Sequence, residues 1–418
     1  MSMPWYGALP KRWEERTVKS LFRIRKDIAG SEDYSVLSIT QRGIKIKDIG
    51  SYQGQMAQSY AKYQFVNIGD FAMNHMDLLT GWVDCAKVFG VTSPDYRVFV
   101  LDDKRQNSDY LLKILQLCYT QRIFYAFGRG AASEGRWRLP RKEFMNFMLP
   151  LPPRDEQDQV VRYLDWKVSQ INKLLGAKRQ QIELLGEQKR AVINEAVTRG
   201  GKGWKKSVCK REFVNLDYMR RPVEASARSQ KGEVLYDYYG ASGVVDKIDD
   251  YIFDQTTLLI AEDGANLVLR NLPLIYIATG KYWVNNHAHI LVPKPDNDLM
   301  FMAYLLESID YTIYITGAAQ PKLSQDNLGR VPLNIPPFAE QQKISKYLDA
   351  QCSRIDKVIT DLNEEITLFT EYRTRLISDV VTGKLNVRSV IVPEYEAVED
   401  VAGETVGEDE EAVGVDDE

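Results

Sequence analysis

A chain of 418 residues has the length for two or three domains, and its 44% hydrophobic content is that of an ordinary soluble globular protein. No apolar run approaches the ~20 residues of a membrane span, and the start MSMPWYGALPKRW lacks a signal-peptide core, so a cytoplasmic location is expected. The net charge of -4 conceals a basic body: residues 394–418 hold twelve acidic residues and no Lys or Arg, which leaves +8 on residues 1–393 and suits a polyanionic partner. Cys85, Cys118, Cys209 and Cys352 are scattered without a CxxC pair, as in a reducing compartment.

In chain order, a short amphipathic segment around Trp13, Val18 and Leu21 opens a region of about 150 residues. Strand-like runs follow at Tyr34–Thr40, Gln64–Met73 and Arg97–Leu101, then an apolar helix from Tyr110 to Phe127 capped by Ser108 or Asp109. A Gly-rich loop, GRGAASEGRWR, leads through Phe144–Leu149 to the pair Pro152-Pro153. From there the apolar positions Leu164, Val168, Ile171, Leu175, Ile182, Leu185, Val192 and Ala196 recur at steps of three and four, the seam of a long coiled-coil helix. Asp155 and Glu156 sit where a helix N-terminus favours negative charge.

The plan then repeats. Trp204 opens a second region with strands expected at Tyr251–Ala261, Leu274–Ala278 and His289–Val292, and a capped helix from Asp298 to about Ile309. The triplet Gly130-Ala131-Ala132 recurs as Gly317-Ala318-Ala319. Residues Pro336 to Thr382 then match Pro152 to Thr198 without a gap: Pro336-Pro337, Glu340-Gln341, Tyr347-Leu348-Asp349 and Val381-Thr382 fall on their earlier counterparts. The second seam runs Leu348, Cys352, Ile355, Ile359, Leu362, Ile366, Phe369, Leu376, Val380. Lys178, Lys189 and Arg373 occupy seam slots, where polar residues pin register. Two helices of equal length and matching stripe most simply pack on each other. The expected fold is α+β: a first mixed domain at 1–151, a helix at 152–200, a second domain at 201–335, a helix at 336–385, and a disordered acidic tail at 386–418.

Two variable globular regions alternating with two PP-x-x-EQ-x-x-(V/I)-x-x-YLD helices, with WVNNHAHILVP from Trp283 and TGAAQPKLSQDNLGRVPLNIPP in the second region, resemble the specificity subunit of a type I restriction–modification system. The resemblance covers about residues 5–385. It implies two target-recognition domains, each reading one half of a bipartite asymmetric DNA sequence, and an antiparallel coiled coil acting as a ruler between them. It also implies that this chain is a non-catalytic part of a restriction endonuclease and adenine-specific DNA methyltransferase complex. The resemblance implies further that the helical regions hold two methyltransferase (modification) subunits, to which two motor-nuclease (restriction) subunits can add. No cofactor is expected in this chain; S-adenosylmethionine, ATP and magnesium belong to the partner subunits.

Duplex DNA is the expected ligand, since no aromatic single-strand platform stands out. Base edges are read by Arg, Lys, Asn and Gln, and phosphates by Lys, Arg and small polar groups. On that ground the DNA-binding candidates of the first region are Arg42, Lys45, Gln53, Gln55, Gln58, Asn74, His75, Arg129 and Arg136. Those of the second are Ser242, Asn266, Arg270, Lys281, Asn285, Asn286, Gln320, Lys322, Ser324 and Gln325. Partner-binding candidates are the repeated helix motifs: Glu156, Gln157, Tyr163, Leu164, Glu340, Gln341, Tyr347 and Leu348. There is no GxxxxGK(S/T) loop and no NPPY methyltransferase motif. The alternative is a self-contained metal-dependent DNA endonuclease using Asp95, Asp102 and Lys104, although a surface loop explains those residues more simply. His287 and His289 share a strand face, for which a structural role is favoured over a metal site.

Overall fold

The computed structural model describes residues 4–48, 59–130, 137–228, 234–317 and 320–399. The chain forms two compact units, Met1–Lys178 with Glu364–Glu418, and Arg179–Asn363.

In the first unit the strands Phe22–Arg25, Arg97–Leu101, Phe71–Met73 and Val83–Cys85 make an antiparallel sheet in that order. Phe22, Phe71 and Phe99 meet from three adjacent strands with ring centroids 5.1–5.4 Å apart. The helix Ser108–Thr120 covers this face with Tyr110, Leu111, Ile114, Leu115 and Cys118, all buried. Its cap is Asn107, whose Oδ1 accepts the Asp109 and Tyr110 amides, not Ser108 or Asp109. It also ends earlier than periodicity suggests. Arg122 turns left-handed at φ 53, and Phe124–Phe127 form a separate 3-10 turn. The expected strand Gln64–Met73 likewise divides into Gln64–Val66 and Phe71–Met73, because Asp70 Oδ2 accepts the Asn67 amide at 2.9 Å and closes a turn between them.

The second unit repeats the sheet in the same order with Phe213–Asn215, Ala288–Pro293, Thr257–Ala261 and Ile275–Ala278. The helix Leu299–Ser308, capped by the Asp298 carboxylate, takes the place of Ser108–Thr120. A second four-stranded sheet joins Gly243–Ile248, Tyr236–Gly240, Lys281–Val284 and Phe253–Asp254. Both units are therefore α+β.

The long helices are Arg154–Thr198 and Phe338–Val381. Within the first unit, Lys178 pairs with Glu365, and Arg373 donates to Asn172 Oδ1 at 2.7 Å. Within the second, Lys189 reaches Asp356 at 2.7 Å. Partner numbers fall as the first helix rises, so the pairing is antiparallel, and all three polar seam slots have partners across it.

Each helix also enters a globular core. Leu164, Ile171 and Leu175 join the first sheet's cluster, and Leu348 and Cys352 join the second's. Near Thr198 the buried positions are Ile193 and Val197 rather than Val192 and Ala196. The stripe drifts there because a straight helix repeats every 3.6 residues while the seam repeats every 3.5.

After the second helix, residues 386–399 are not the disordered segment that their acidity suggests. They run along the first helix, where Val387 is buried and Val390 and Val392 pack against the core. Gln159 Nε2 donates to the Val387 and Val390 carbonyls at 3.0 and 2.7 Å, and Arg388 pairs with Glu156 at 2.9 Å. Ser169 Oγ both donates to the Glu396 carbonyl and accepts the Val398 amide. Residues 400–418 lie outside the described residues.

Candidate nucleic-acid interface

The repeated Glu-Gln pair at each long-helix start is a joint rather than a docking surface. Gln157 is 0% exposed: its Oε1 accepts the Asn107 amide at 2.8 Å, while its Nε2 donates to Gln106 Oε1 at 2.7 Å and the Pro152 carbonyl at 2.8 Å. Gln341, 1% exposed, repeats this with the Asp298 amide at 2.7 Å and the Pro336 carbonyl at 2.9 Å. In both copies the glutamine bolts the long helix to the cap residue of the domain's own helix. Asp165 and Asp349 add a second tie, to Lys113 at 2.6 Å and to the Tyr304 hydroxyl at 2.8 Å.

Only an amide can accept and donate in that place. Gln157→Glu sets a carboxylate against two acceptor oxygens, and we expect a loss of ~2–4 kcal/mol in urea unfolding of the first unit. Gln341→Glu should do the same in the second. Wild-type midpoints for both would remove the joint from the account.

Of the other partner-binding candidates, Leu164 and Leu348 are core residues at 0% exposure, so they do not present themselves to another chain. Glu156 is buried under Arg388, and Glu340 is half-buried. Tyr163 and Tyr347 occupy the same repeat position yet differ, at 8% and 52% exposed. The first lies where residues 387–398 run along its helix, whereas the second faces out.

Among the DNA candidates, Arg42 and Ser242 occupy equivalent exposed hairpin turns, Thr40–Gly43 and Gly240–Gly243. Gly43 and Gly243 take φ of 94 and 88 there, which a side-chain-bearing residue resists. Lys45 and Lys281 are exposed on strands, the latter with its ammonium 4.4 Å from the Tyr251 ring centre. Asn286, Gln320 and Gln325 are exposed, and Ser324 caps the turn Gln325–Arg330 by accepting the Asn327 amide. Arg129 is exposed but paired with Glu143 at 2.9 Å. Asn74 is half-buried, its Oδ1 accepting the Met76 amide.

Three candidates prove to be loop builders. Asn266 closes its own loop through the Leu272 amide and the Leu272 and Pro273 carbonyls. Arg270 binds the carbonyls of Glu307 and Ile309, and Asn285 is buried with its Oδ1 on the His287 amide. Gln53, Gln55, Gln58 and Arg136 lie outside the described residues, as do Ala131, Ala132, Ala318 and Ala319.

The structure brings Asn286, His287 and Lys322 together around a buried network in the second unit. His289 Nδ1 lies 2.6 Å from Asp217 and Nε2 2.7 Å from the Leu323 carbonyl. Both neighbours are hydrogen-bond acceptors, so the ring is held from both sides. Arg220 and Lys322 pair with Glu262, Arg220 also donates to the Asn286 carbonyl, and His287 pairs with Asp263 at 2.8 Å. Burial raises the Asp217 and Glu262 carboxyls, but their bonds to His289 and to Arg220 and Lys322 outweigh it, and both end below their ordinary values. Asp217, Glu262 and His289 converge within 4.8 Å, but each is already engaged by these partners. The network is a charge-balanced foundation under Lys322.

In the first unit the corresponding place is a cavity of roughly 330 Å³ lined by Arg25, Lys26, His75, Asp95, Arg97, Arg138 and Arg141, among others. Burial, then the Arg97 and Arg138 cations, lower the His75 imidazole to about 4. Of these residues only His75 was legible as a DNA candidate. Lys26, Arg97 and the close pair Arg138 and Arg141 come from separate parts of the chain, and only the tertiary structure assembles them.

The residues named for the endonuclease alternative do not come together. Asp95 precedes and Asp102 follows the extended strand Arg97–Leu101, which separates them by on the order of 20 Å at ~3.3 Å per residue. Asp102 moreover pairs with Arg23 at 3.3 Å.

Residues 202–368 match the family model described as type I restriction modification DNA specificity domain. A putative type I restriction enzyme specificity subunit of Haemophilus influenzae is 34% identical over 140 residues, 33% of this chain and 35% of that protein. A putative type I restriction enzyme specificity subunit of Methanocaldococcus jannaschii is 23% identical over 92% of this chain and 96% of its own length. A chain solved in work on assembly and conformational transition of the type I R-M system shares the fold at a TM-score of 0.68, with 11% identity over 90% of this chain and all of that one. No helix among the described residues is long and apolar enough to cross a membrane.

Proposed function

We propose that this chain, which resembles specificity subunits of type I restriction–modification systems, reads one half of a bipartite duplex DNA sequence with each of its two units and that the paired helices set the unread spacer between the halves. The observation that carries this reading is the duplication itself. The two units keep one sheet order, one capped helix and one glutamine joint, while the side chains on the shared frame differ: Arg42 against Ser242, and His75 against Glu262. A constant frame with unlike surfaces is what two unlike half-sites require. Forty-five helical residues at ~1.5 Å each make a rod on the order of 65 Å, enough to bridge major grooves ~34–36 Å apart.

This chain performs no catalysis in our reading. Two methyltransferase subunits dock on it and carry S-adenosylmethionine, and motor-nuclease subunits that join them use ATP and magnesium. Tyr347, exposed on its helix, is the repeat residue best placed to meet such a partner.

Exchanging residues 1–151 for the first domain of another family member should change one half of the methylated sequence and leave the other intact, read by methylation mapping in cells expressing the complex. Simultaneous change of both halves would show that the units do not read independently. DNA cleavage by the purified chain with magnesium alone would overturn the non-catalytic assignment.

A further inference from the structure

The two units hold one site in two electrostatic states. Met73 pairs with Arg97 as Ile260 pairs with His289, and Phe22 with Leu101 as Phe213 with Pro293. The Leu139 amide donates to the His75 carbonyl as the Leu323 amide donates to that of Glu262. Arg97 Nη2 reaches the Leu139 carbonyl at 3.1 Å, as His289 Nε2 reaches the Leu323 carbonyl at 2.7 Å. Arg97 therefore stands where the second unit has His289, His75 where it has Glu262, Arg138 where it has Lys322, and Lys26 where it has Asp217.

The substitution removes both carboxylates and leaves Arg97, Arg138 and Lys26 as the cations at the shared positions. In the second unit Asp217 and Glu262 answer His289, Arg220 and Lys322. In the first, Arg97 is 6% exposed and rests on the Phe144 ring and a carbonyl, with no carboxylate partner among the described residues. The buried Nδ1 of His75 makes no hydrogen bond of good geometry, although the Met73 backbone lies close enough to favour its charged form. Arg138 and Arg141 stand exposed at the same cavity, also without a carboxylate among the described residues, and Arg25 is taken by Asp70 and Asp27. Asp95 is the one acid on the cavity wall. Burial and the neighbouring Arg141 lower the Arg97 guanidinium to about 10, as expected of a cation lacking its counter-ion.

We propose that this cavity of the first unit is an anion site that takes a phosphate oxyanion, supplied by the DNA backbone, in the place the second unit fills with its own Asp217 and Glu262. The assignment rests on the DNA-recognition reading for the source of the phosphate but not for its chemistry. A backbone phosphate held there fixes the first unit's register on DNA without reading sequence, whereas the second unit has its anions built in. The two half-sites thus differ in how much of their affinity is ionic.

Two variants of the full chain test this. Arg138→Gln with Arg141→Gln removes two exposed cations and leaves the core untouched. His75→Glu supplies the carboxylate that the second unit has. Both should weaken duplex binding about tenfold whatever the sequence, and flatten the slope of log affinity against log salt by ~1. His75→Glu should at the same time raise the unfolding midpoint, an effect no merely destabilising change produces. As a DNA-free arm, inorganic phosphate titrated into the wild-type chain should move the His75 ring resonances and raise that imidazole's pKa, and should not do so in the double variant. A phosphate response with an unchanged salt slope would assign the site to a free phosphate rather than to DNA. No response in either arm overturns the site. A wild-type chain that fails to bind duplex DNA but passes the phosphate arm would instead count against the recognition reading.

Discussion

Deleting residues 181–187 together with 357–363 is expected to shorten the unread spacer of the methylated sequence by about three base pairs while leaving both half-sites unchanged. Lys178 meets Glu365 and Lys189 meets Asp356, so these two stretches are facing heptads of the antiparallel pair. Each contributes two seam residues, Ile182 and Leu185 against Ile359 and Leu362. Removing seven residues from both strands returns every remaining seam position to the same face, because the seam repeats every seven. Seven residues at ~1.5 Å shorten the rod by roughly 10 Å, and ~3.4 Å per base pair makes this about three pairs. A turn of about a third of the duplex accompanies the shift, so slower methylation is compatible with the ruler. An active variant with the original spacer is not.

The second large effect is on stability. Leu348→Asp should unfold the second unit, and Leu164→Asp the first, before any partner is lost. Leu348 is fully buried in an apolar cluster with Leu305, Leu306 and Phe301, where an aspartate would lose its hydration. Such a charge costs several kcal/mol, a large part of the ~5–15 kcal/mol that holds a domain together. Urea unfolding of Leu348→Asp should lose the transition of the second unit and keep that of the first. A wild-type profile would mean that Leu348 is not the core residue its burial indicates. The contrast is Tyr347→Ala one position earlier. That exposed ring can be removed with a change within ~0.5 kcal/mol, which makes it the clean probe of the proposed partner docking.

The repeats show how far residue order alone carries the description. The 47-residue match beginning at Pro152 and Pro336 is local and ungapped, and the periodicity of Leu164, Ile171, Leu175 and their counterparts Leu348, Ile355 and Ile359 is local too. The two helices, their packing on each other and the α+β class of the units are therefore legible in the order of residues alone, and the repeated motif carries the family resemblance. Periodicity states which residues are apolar, however, and not what they touch. Gln157 and Gln341 have the look of surface motif residues because they recur. They recur because an amide that accepts from one cap residue and donates to a proline carbonyl is needed in the same joint twice.

Charge is legible only as a sum. The acidic composition after Glu394 suggests disorder from residue 386, yet the valines of that segment lie on the first helix, and burial of a few apolar side chains decides its course. The cavity of the first unit is the fullest case. Lys26, His75, Arg97 and Arg138 span more than a hundred residues and share no motif. Strand register places them side by side, and only the matching second unit, with Asp217 and Glu262 at the equivalent positions, reveals which charges the first one lacks. Local order determines elements because their interactions lie three, four or seven residues apart. The site depends on pairings between distant strands, which tertiary structure alone decides.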